Sequence, residues 1–169
     1  QRDALTGLFN RRALYDHVRR EMHRSARNGL SLGLIMVDID HFKNINDTWG
    51  HISGDRVLVH LAGIMREATR VYDHIGRWGG EEFLILLPES DYEKTRIVAE
   101  RIRSSVEVSP AVAINGQEVH LTVSLGFGAF VPGREVQEIE PMISAVDDAL
   151  YQAKASGRNQ ACATRAREN

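Results

Sequence analysis

Leu30-Ser31-Leu32-Gly33-Leu34-Ile35-Met36-Val37 runs directly into Asp38-Ile39-Asp40. An almost wholly apolar run of this kind predicts a strand buried on both faces at the centre of a sheet. Upstream, Leu14, Val18 and Met22 recur at helical spacing, and Asn28-Gly29 ends that helix with turn chemistry. Downstream, residues 42–49 read as a short helix, and Ser53-Gly54-Asp55 leads into a longer one with Val57, Leu61, Ile64 and Ala68 on one side. Residues 74–78 and 83–87 read as two short strands joined through Gly79-Gly80, with Pro88 closing the second. A helix carrying Val98, Ile102 and Val106 follows, and Asn115-Gly116 marks another hairpin turn.

Farther on, Leu121, Val123, Leu125, Phe127, Ala129 and Val131 alternate with Thr122, Ser124, Gly126 and Gly128. That strand has one bulky face and one nearly bare face, so something must pack closely on the bare side. The last helix carries Met142, Val146, Ala149, Leu150 and Ala153. Helices separated by antiparallel pairs, rather than alternating with single strands, predict an α+β fold with a mainly antiparallel central sheet flanked by helices.

Composition narrows the function classes. The chain has 169 residues, 43% hydrophobic and 26% charged, within the range of one globular domain with a sizeable core. A formal net charge of −2 gives no footprint for DNA, RNA or an anionic membrane, each of which calls for a clustered basic surface. An anionic ligand would have to be held by a few placed cations. Cys162 is the single cysteine, so no intrachain disulfide forms and a reducing, cytoplasmic setting is expected. The longest apolar runs, 34–37 and 83–87, fall far below the roughly 20 residues needed to cross a bilayer. The chain begins at Gln1 rather than Met, which fits an excised piece of a longer protein. One domain is expected over 1–162, with residues 163–169 as a polar tail.

Two features carry chemistry. Asp38 and Asp40 lie two apart where a buried strand ends, and would share one face if strand geometry persists. Such carboxylates repel each other, and burial worsens the repulsion unless a cation or protons intervene. A hard divalent ion is one answer; a helix cap at the start of residues 42–49 is the other. Second, Gly79-Gly80-Glu81-Glu82 places two acids beside two glycines that allow positive φ and leave room for a ligand. By itself that pattern also fits an exposed turn with solvated acids.

A family resemblance joins these features. Asp3-Ala4-Leu5-Thr6-Gly7-Leu8-Phe9-Asn10-Arg11-Arg12, Asp38-Ile39-Asp40-His41-Phe42-Lys43, Asn46-Asp47, Gly50-His51 and Gly54-Asp55 resemble the GGDEF family of diguanylate cyclases. The signature stands here as Gly79-Gly80-Glu81-Glu82-Phe83. Ala149-Leu150-Tyr151-Gln152-Ala153-Lys154 and Gly157-Arg158-Asn159 complete the likeness over nearly the whole chain. The resemblance implies a palm-like architecture of the nucleotide cyclase or ferredoxin-like kind. It also implies condensation of two GTP into cyclic di-GMP by a homodimer of domains, with Mg²⁺ as cofactor and Mn²⁺ as a substitute.

Residue by residue, the resemblance puts Asp38, Glu81 and the Ile39 carbonyl on the metal, with Glu82 close by. Asn46 and Asp55 fall where relatives read guanine. A carboxylate there accepts the ring N–H and exocyclic amine of guanine, a pattern adenine lacks. Phe42 belongs to the same substrate stretch, as does His51, for which nucleotide contact and an ordinary packed or exposed histidine are both open. Lys43, Lys154 and Arg158 are the placed cations; Lys154 and Arg158, four apart, are expected on one helix face, clamping phosphates. Glu81, then Glu82, are candidates for the base that takes the 3′-hydroxyl proton.

Arg70-Val71-Tyr72-Asp73 ends five residues before Gly79. That offset matches the family's product-inhibition motif, with Arg101 as a helper arginine; its ordinary alternative is a surface Arg/Asp pair at a helix end. Some family members bind nucleotide without turnover, and polymerase-like enzymes share the palm architecture. Intact Asp38, Glu81 and Glu82 favour a working cyclase over the first, and Asn46, Asp55 and the signature hairpin together favour it over the second.

Overall fold

In the computed structural model, which describes residues 1–109, 112–134 and 137–165, the apolar run forms strand β1 (Leu32–Ile39), all eight residues of which are buried. The remaining elements, in chain order, are α1 (Arg11–Asn28) before it, then α2 (Phe42–Trp49), α3 (His51–Ala68), β2 (His74–Arg77), β3 (Glu82–Leu87), α4 (Tyr92–Val108), β4 (Val112–Ile114), β5 (Gln117–Val119), β6 (Val123–Phe130), α5 (Ile139–Ala155) and β7 (Ala161–Ala163). Total burial puts β1 at the centre of a five-stranded sheet ordered β2-β3-β1-β6-β7. It pairs antiparallel with β3 and β6, so that Asp38 stands opposite Glu82 on one side and Ser124 on the other. The sheet is mainly antiparallel, with β7 added parallel to β6 at one edge.

Alternate strand residues face opposite layers. Ile35, Val37, Phe83, Ile85 and Leu125 join Leu61 and Met65 of α3 and Ile102 of α4 in one core. Leu34, Met36, Leu84 and Leu86 join Leu14 and Val18 of α1 and Met142, Val146 and Leu150 of α5 in the other. The first helix is bounded as its sequence predicts: the Asn10 side chain accepts from Ala13 N at 2.9 Å, and Gly29 closes it at φ 73°.

The bare face of β6 is covered by the backbone of α5. A Cβ at Gly126 would stand 2.1 Å from the Val146 carbonyl oxygen and 2.3 Å from the Leu150 nitrogen. The glycine lets α5 sit low on the sheet, and this carries Lys154 to the end of β1.

Several boundaries differ from the sequence expectations. Ser53, Gly54 and Asp55 lie inside α3, which begins directly after Gly50 at φ 86°. Small residues there let α2 and α3 pack closely: Ser53 and Gly54 are both buried, and Ser53 Oγ donates to the Trp49 carbonyl at 2.8 Å. Asn115-Gly116 does turn a hairpin, with both residues at positive φ (50° and 78°). That hairpin joins β4 and β5 in a separate two-stranded ribbon, while β6 starts anew in the main sheet. Ala163 is sheet rather than tail, and Thr164 N still donates to the Phe127 carbonyl at 2.8 Å; residues 166–169 lie outside the described residues. Backbone pairing with β6, which three residues of weak pattern do not announce, makes β7. No helix among the described residues is long and apolar enough to cross a membrane.

Asp40 fastens three segments together. Its carboxylate accepts from Thr122 Oγ1 at 2.7 Å, Ser124 Oγ at 2.6 Å and Asn159 N at 3.0 Å, and the residue is 5% exposed. The helix-cap expectation fails for both aspartates: the residue capping α2 is His41, in the left-handed region at φ 57° and with no side-chain cap bond. Asp40→Ala is expected to cost about 3 kcal/mol of stability, because three bonds to a charged acceptor are lost and buried donors are stranded. Urea unfolding with and without Mg²⁺ checks this, and an unchanged midpoint would contradict the structural role.

A second cluster fixes the N-terminal segment. Phe9 N and O bond Ile75 O and Arg77 N at 3.1 and 2.9 Å, and the His17 and His74 rings stack at 4.3 Å. Burial lowers both histidine pKa values; for His17 the charges of His74 and Arg20 add to it, for His74 that of Arg20. A histidine depressed in the folded state protonates more readily when unfolded. Its contribution is therefore complete above the free-histidine value of about 6.5 and is lost as pH falls below it. His74→Phe, which keeps a ring in the stack, should flatten the decline of unfolding free energy between pH 7 and pH 5.5. An identical decline in the variant would remove this cluster as its source.

Candidate active site

Asp38 is the penultimate residue of β1, with 2% of its surface exposed. Its carboxylate accepts from the Lys154 ammonium at 2.7 Å, and Glu81 lies close enough to be affected by its charge. Burial pushes Asp38 above the usual carboxylate range; Lys154 opposes that shift and Asp40 adds to it. Glu81 is raised by burial and by the Asp38 charge, and Glu82 by burial and the charges of Asp38 and Asp147. Asp38 of β1 thus raises the pKa of Glu81 in the turn and of Glu82 in β3, with the Lys154 ammonium beside Asp38, an arrangement that depends on β1 and β3 being neighbours in the sheet.

The hairpin that presents Glu81 is braced from outside the site. Trp78 N and Gly79 N both donate to the Glu82 carbonyl, at 2.8 and 3.1 Å. Arg77 donates to the Gly80 carbonyl at 2.8 Å and pairs with Asp3 at 3.2 Å, while Asp3 also accepts from the amide and hydroxyl of Thr6 at 2.8 and 2.7 Å. The opening segment of the chain therefore supports the acidic turn. The expected positive φ is not why the glycines are there, since neither Gly79 nor Gly80 adopts it. A Cβ at Gly80 would meet open space, and at Gly79 only the Glu82 side chain, at 3.4 Å. What the glycines provide is an uncovered backbone beside the carboxylates.

The proposed base-reading residues lie where α2 packs on α3. Gly54 is bare against Asn46: a Cβ there would fall 1.9 Å from Asn46 Oδ1. That oxygen is buried and lacks a hydrogen-bond partner among the described residues. A buried acceptor without a donor is costly, and a ligand N–H would relieve it. Asp55 and His51 are exposed on the first turns of α3. Phe42, expected against substrate, is instead 8% exposed and packs in the core.

Of the three expected cations, Lys154 is in the acidic cluster and Lys43 is exposed on the first turn of α2. The expectation that Lys154 and Arg158 share a helix face is wrong. α5 ends at Ala155, and Arg158 lies in the following turn at φ 63°, with its N–H on the Ala153 carbonyl at 3.0 Å. Gly157 at φ 115° breaks the helix between them. Asn159 was part of a quoted motif without a role, yet it bonds Asp40, and only the folded chain shows it. Apart from this cluster, Arg70 N donates to Asp73 Oδ2 at 2.7 Å and Arg70 Nη1 to the Tyr72 hydroxyl at 2.7 Å. Arg101 of α4 reaches the Ala68 carbonyl at 3.1 Å, beside that turn.

Among the described residues no three His, Cys, Asp or Glu side chains converge closely enough to hold an ion unaided. The donor set does fit Mg²⁺ carried by a triphosphate, which takes one or two carboxylates and draws its other oxygens from phosphate and water.

Comparison with known proteins concerns the chain as a whole. Diguanylate cyclase DosC of Escherichia coli is 40% identical over 158 residues, which cover 94% of this chain and 34% of that protein. The chain spans about a third of the length of this curated relative. Among solved structures, diguanylate cyclase SiaD of Pseudomonas aeruginosa, in complex with its activator SiaC, superposes with a TM-score of 0.91 at 45% identity, covering 96% of this chain and 61% of that one. The GGDEF domain of DgcB from Caulobacter crescentus, in complex with c-di-GMP, superposes at 0.90 with 33% identity over 98% of this chain and 93% of that one. The family model described as "Diguanylate cyclase, GGDEF domain" matches residues 1–160, and the chain belongs to that family.

Proposed function

We propose that this domain, as one of a pair, condenses two molecules of GTP into cyclic di-GMP with release of pyrophosphate. The observation that carries the reading is the buried Asp38 carboxylate sharing one spot with Glu81 and the Lys154 ammonium. Asp38, Glu81 and the Ile39 carbonyl would hold Mg²⁺, or Mn²⁺ in its place. Bound there, the ion neutralises triphosphate charge and polarises the α-phosphate.

The remaining work falls to side chains. Asn46 Oδ1, buried without a partner, and the Asp55 carboxylate accept from the N–H edge of guanine, which selects GTP over ATP. His51 stands beside Asp55 at the start of α3. Phe42 supports these residues from the core. Lys43, Lys154 and Arg158 face the phosphates and stabilise the charge that grows on them during transfer. Glu81, with Glu82 beside it, receives the proton of the attacking 3′-hydroxyl. The catalytic unit in this reading is residues 1–162 extended by the rest of β7 and Thr164, which complete the sheet.

One domain offers one such set of residues, and the product needs two nucleotides aligned in opposite senses. Two domains must therefore meet face to face, each bringing its own GTP. Specific activity should rise with protein concentration, and Glu81→Ala should lower turnover by about a hundredfold or more. Chromatography of products formed from GTP and Mg²⁺ across a dilution series checks both. Constant specific activity on dilution would remove the dimer, and an active Glu81→Ala would remove the metal reading.

Arg70 and Asp73, with Arg101 alongside, form a second site for the product, in which arginine forks grip guanine O6 and N7. The proximity of Arg101 to the Arg70 turn supports it. Arg70→Ala should leave basal turnover intact and weaken inhibition by added cyclic di-GMP by about tenfold or more. An unaltered inhibition curve would exclude the site.

A further inference from the structure

The turn after α5 holds residues in an unfavourable conformation at a functional place. Gly157, Arg158 and Asn159 all lie at positive φ, at 115°, 63° and 46°. For arginine this region is disfavoured, because Cβ crowds the neighbouring carbonyl oxygen. Such a conformation persists only where surrounding contacts overdetermine it.

Asn159 makes those contacts. Its backbone N–H donates to Asp40 Oδ2 at 3.0 Å. Its side-chain Oδ1 accepts from Arg103 Nη1 at 3.2 Å, and its Nδ2 donates to Glu107 Oε2 at 2.9 Å. Both partners lie one turn apart on α4. Arg103 is itself locked: its Nε donates to both Glu100 carboxylate oxygens at 2.9 and 3.0 Å, its Nη2 donates to Glu100 at 2.6 Å, and it also pairs with Glu107. Its side chain is 19% exposed. On the near side of the turn, Arg158 N bonds the Ala153 carbonyl at 3.0 Å, and Gln160 Nε2 donates to the Arg158 carbonyl at 3.1 Å. The turn is thus held between the end of β1, the end of α5 and the C-terminal turns of α4.

We propose that Asn159 is a positioning residue for substrate phosphate: through Arg103 and Glu107 of α4 and through Asp40, it fixes the turn that aims Arg158 at the triphosphate. The proposal rests on the reading in which Arg158 binds phosphate. It explains why an arginine that could have ridden on α5 beside Lys154 is instead placed beyond the helix end. A guanidinium on a rigid turn loses less freedom on binding than one on a loose tail.

Asn159→Gly is the decisive variant. Glycine tolerates positive φ and keeps the N–H to Asp40, so the turn retains its backbone but loses both ties to α4. Its effect is compared with Arg158→Ala, with the double variant, and with Arg103→Gln, which breaks the same link from the α4 side. The Kd for α,β-methylene GTP with Mg²⁺ is measured by calorimetry, KM and kcat for GTP by initial rates, and unfolding temperature as a control. Asn159→Gly is expected to raise Kd and KM about tenfold and to lower kcat by no more than Arg158→Ala does, with unfolding temperature close to the parent. Arg103→Gln should follow in the same direction. The double variant should be no weaker than Arg158→Ala alone, because Asn159 acts through Arg158.

If Arg158→Ala weakens nucleotide binding but Asn159→Gly does not, Arg158 is placed without Asn159 and this proposal falls alone. Losses that multiply in the double variant overturn it as well. If Arg158→Ala leaves binding unchanged, the phosphate reading of Arg158 fails and takes this proposal with it.

Discussion

Asp38 is a carboxylate placed where carboxylates are costly. It is the penultimate residue of a strand whose every residue is buried, and burial raises its pKa even with an ammonium at 2.7 Å. Moving a charge out of water is tolerated only when compensation is built around it. Much of the architecture can be read as that compensation. α5 lies on the bare face of β6 and delivers Lys154, the hairpin brings Glu81 and Glu82, and the α-helical layers exclude water from the strand below. A site strained in this way has an electrostatic reason to take up a divalent cation.

The supports of the site lie far from it in sequence. Asp3 and Thr6 hold Arg77, and Arg77 holds the Gly80 carbonyl in the acidic turn. Asp40, two residues past Asp38, collects two hydroxyls of the β6 segment and the Asn159 amide. The two aspartates look equivalent in the sequence and do opposite work. Asp38 is left with one ammonium beside further acids and is available to a ligand. Asp40 is saturated with donors and holds the sheet to the turn after α5. What separates them is the partners that reach each one.

Glycines divide in the same way. Gly126 is needed because the backbone of α5 approaches within 2.1 Å of where a Cβ would stand, and Gly54 because Asn46 fills the space. Gly80 faces open space, so its lack of a side chain keeps the approach to the acidic turn clear. Two of these are demands of packing inside the fold, and the third leaves room for something outside it.

The central strand, the five helices, both hairpin turns and the bare face of β6 were legible in the sequence, because burial and periodicity are local patterns that the chain carries openly. Asp38, Glu81 and Glu82 stood out as acids at the end of an apolar run and beside a glycine pair, patterns that a helix cap or an exposed turn would also produce, and Asn46 and Asp55 stood out only through the family resemblance. Tertiary structure decided the rest. β7 exists only because β6 offers an edge to pair with. Arg158 leaves the helix face that its spacing from Lys154 implied, because Gly157 ends the helix and Asn159 is fastened to α4. Whether Asp40 is ligand or strut depended on Thr122, Ser124 and Asn159, residues 82 to 119 positions away. A one-dimensional pattern records which groups are present and how often they recur; which of them are satisfied by one another depends on contacts made only when distant segments fold together.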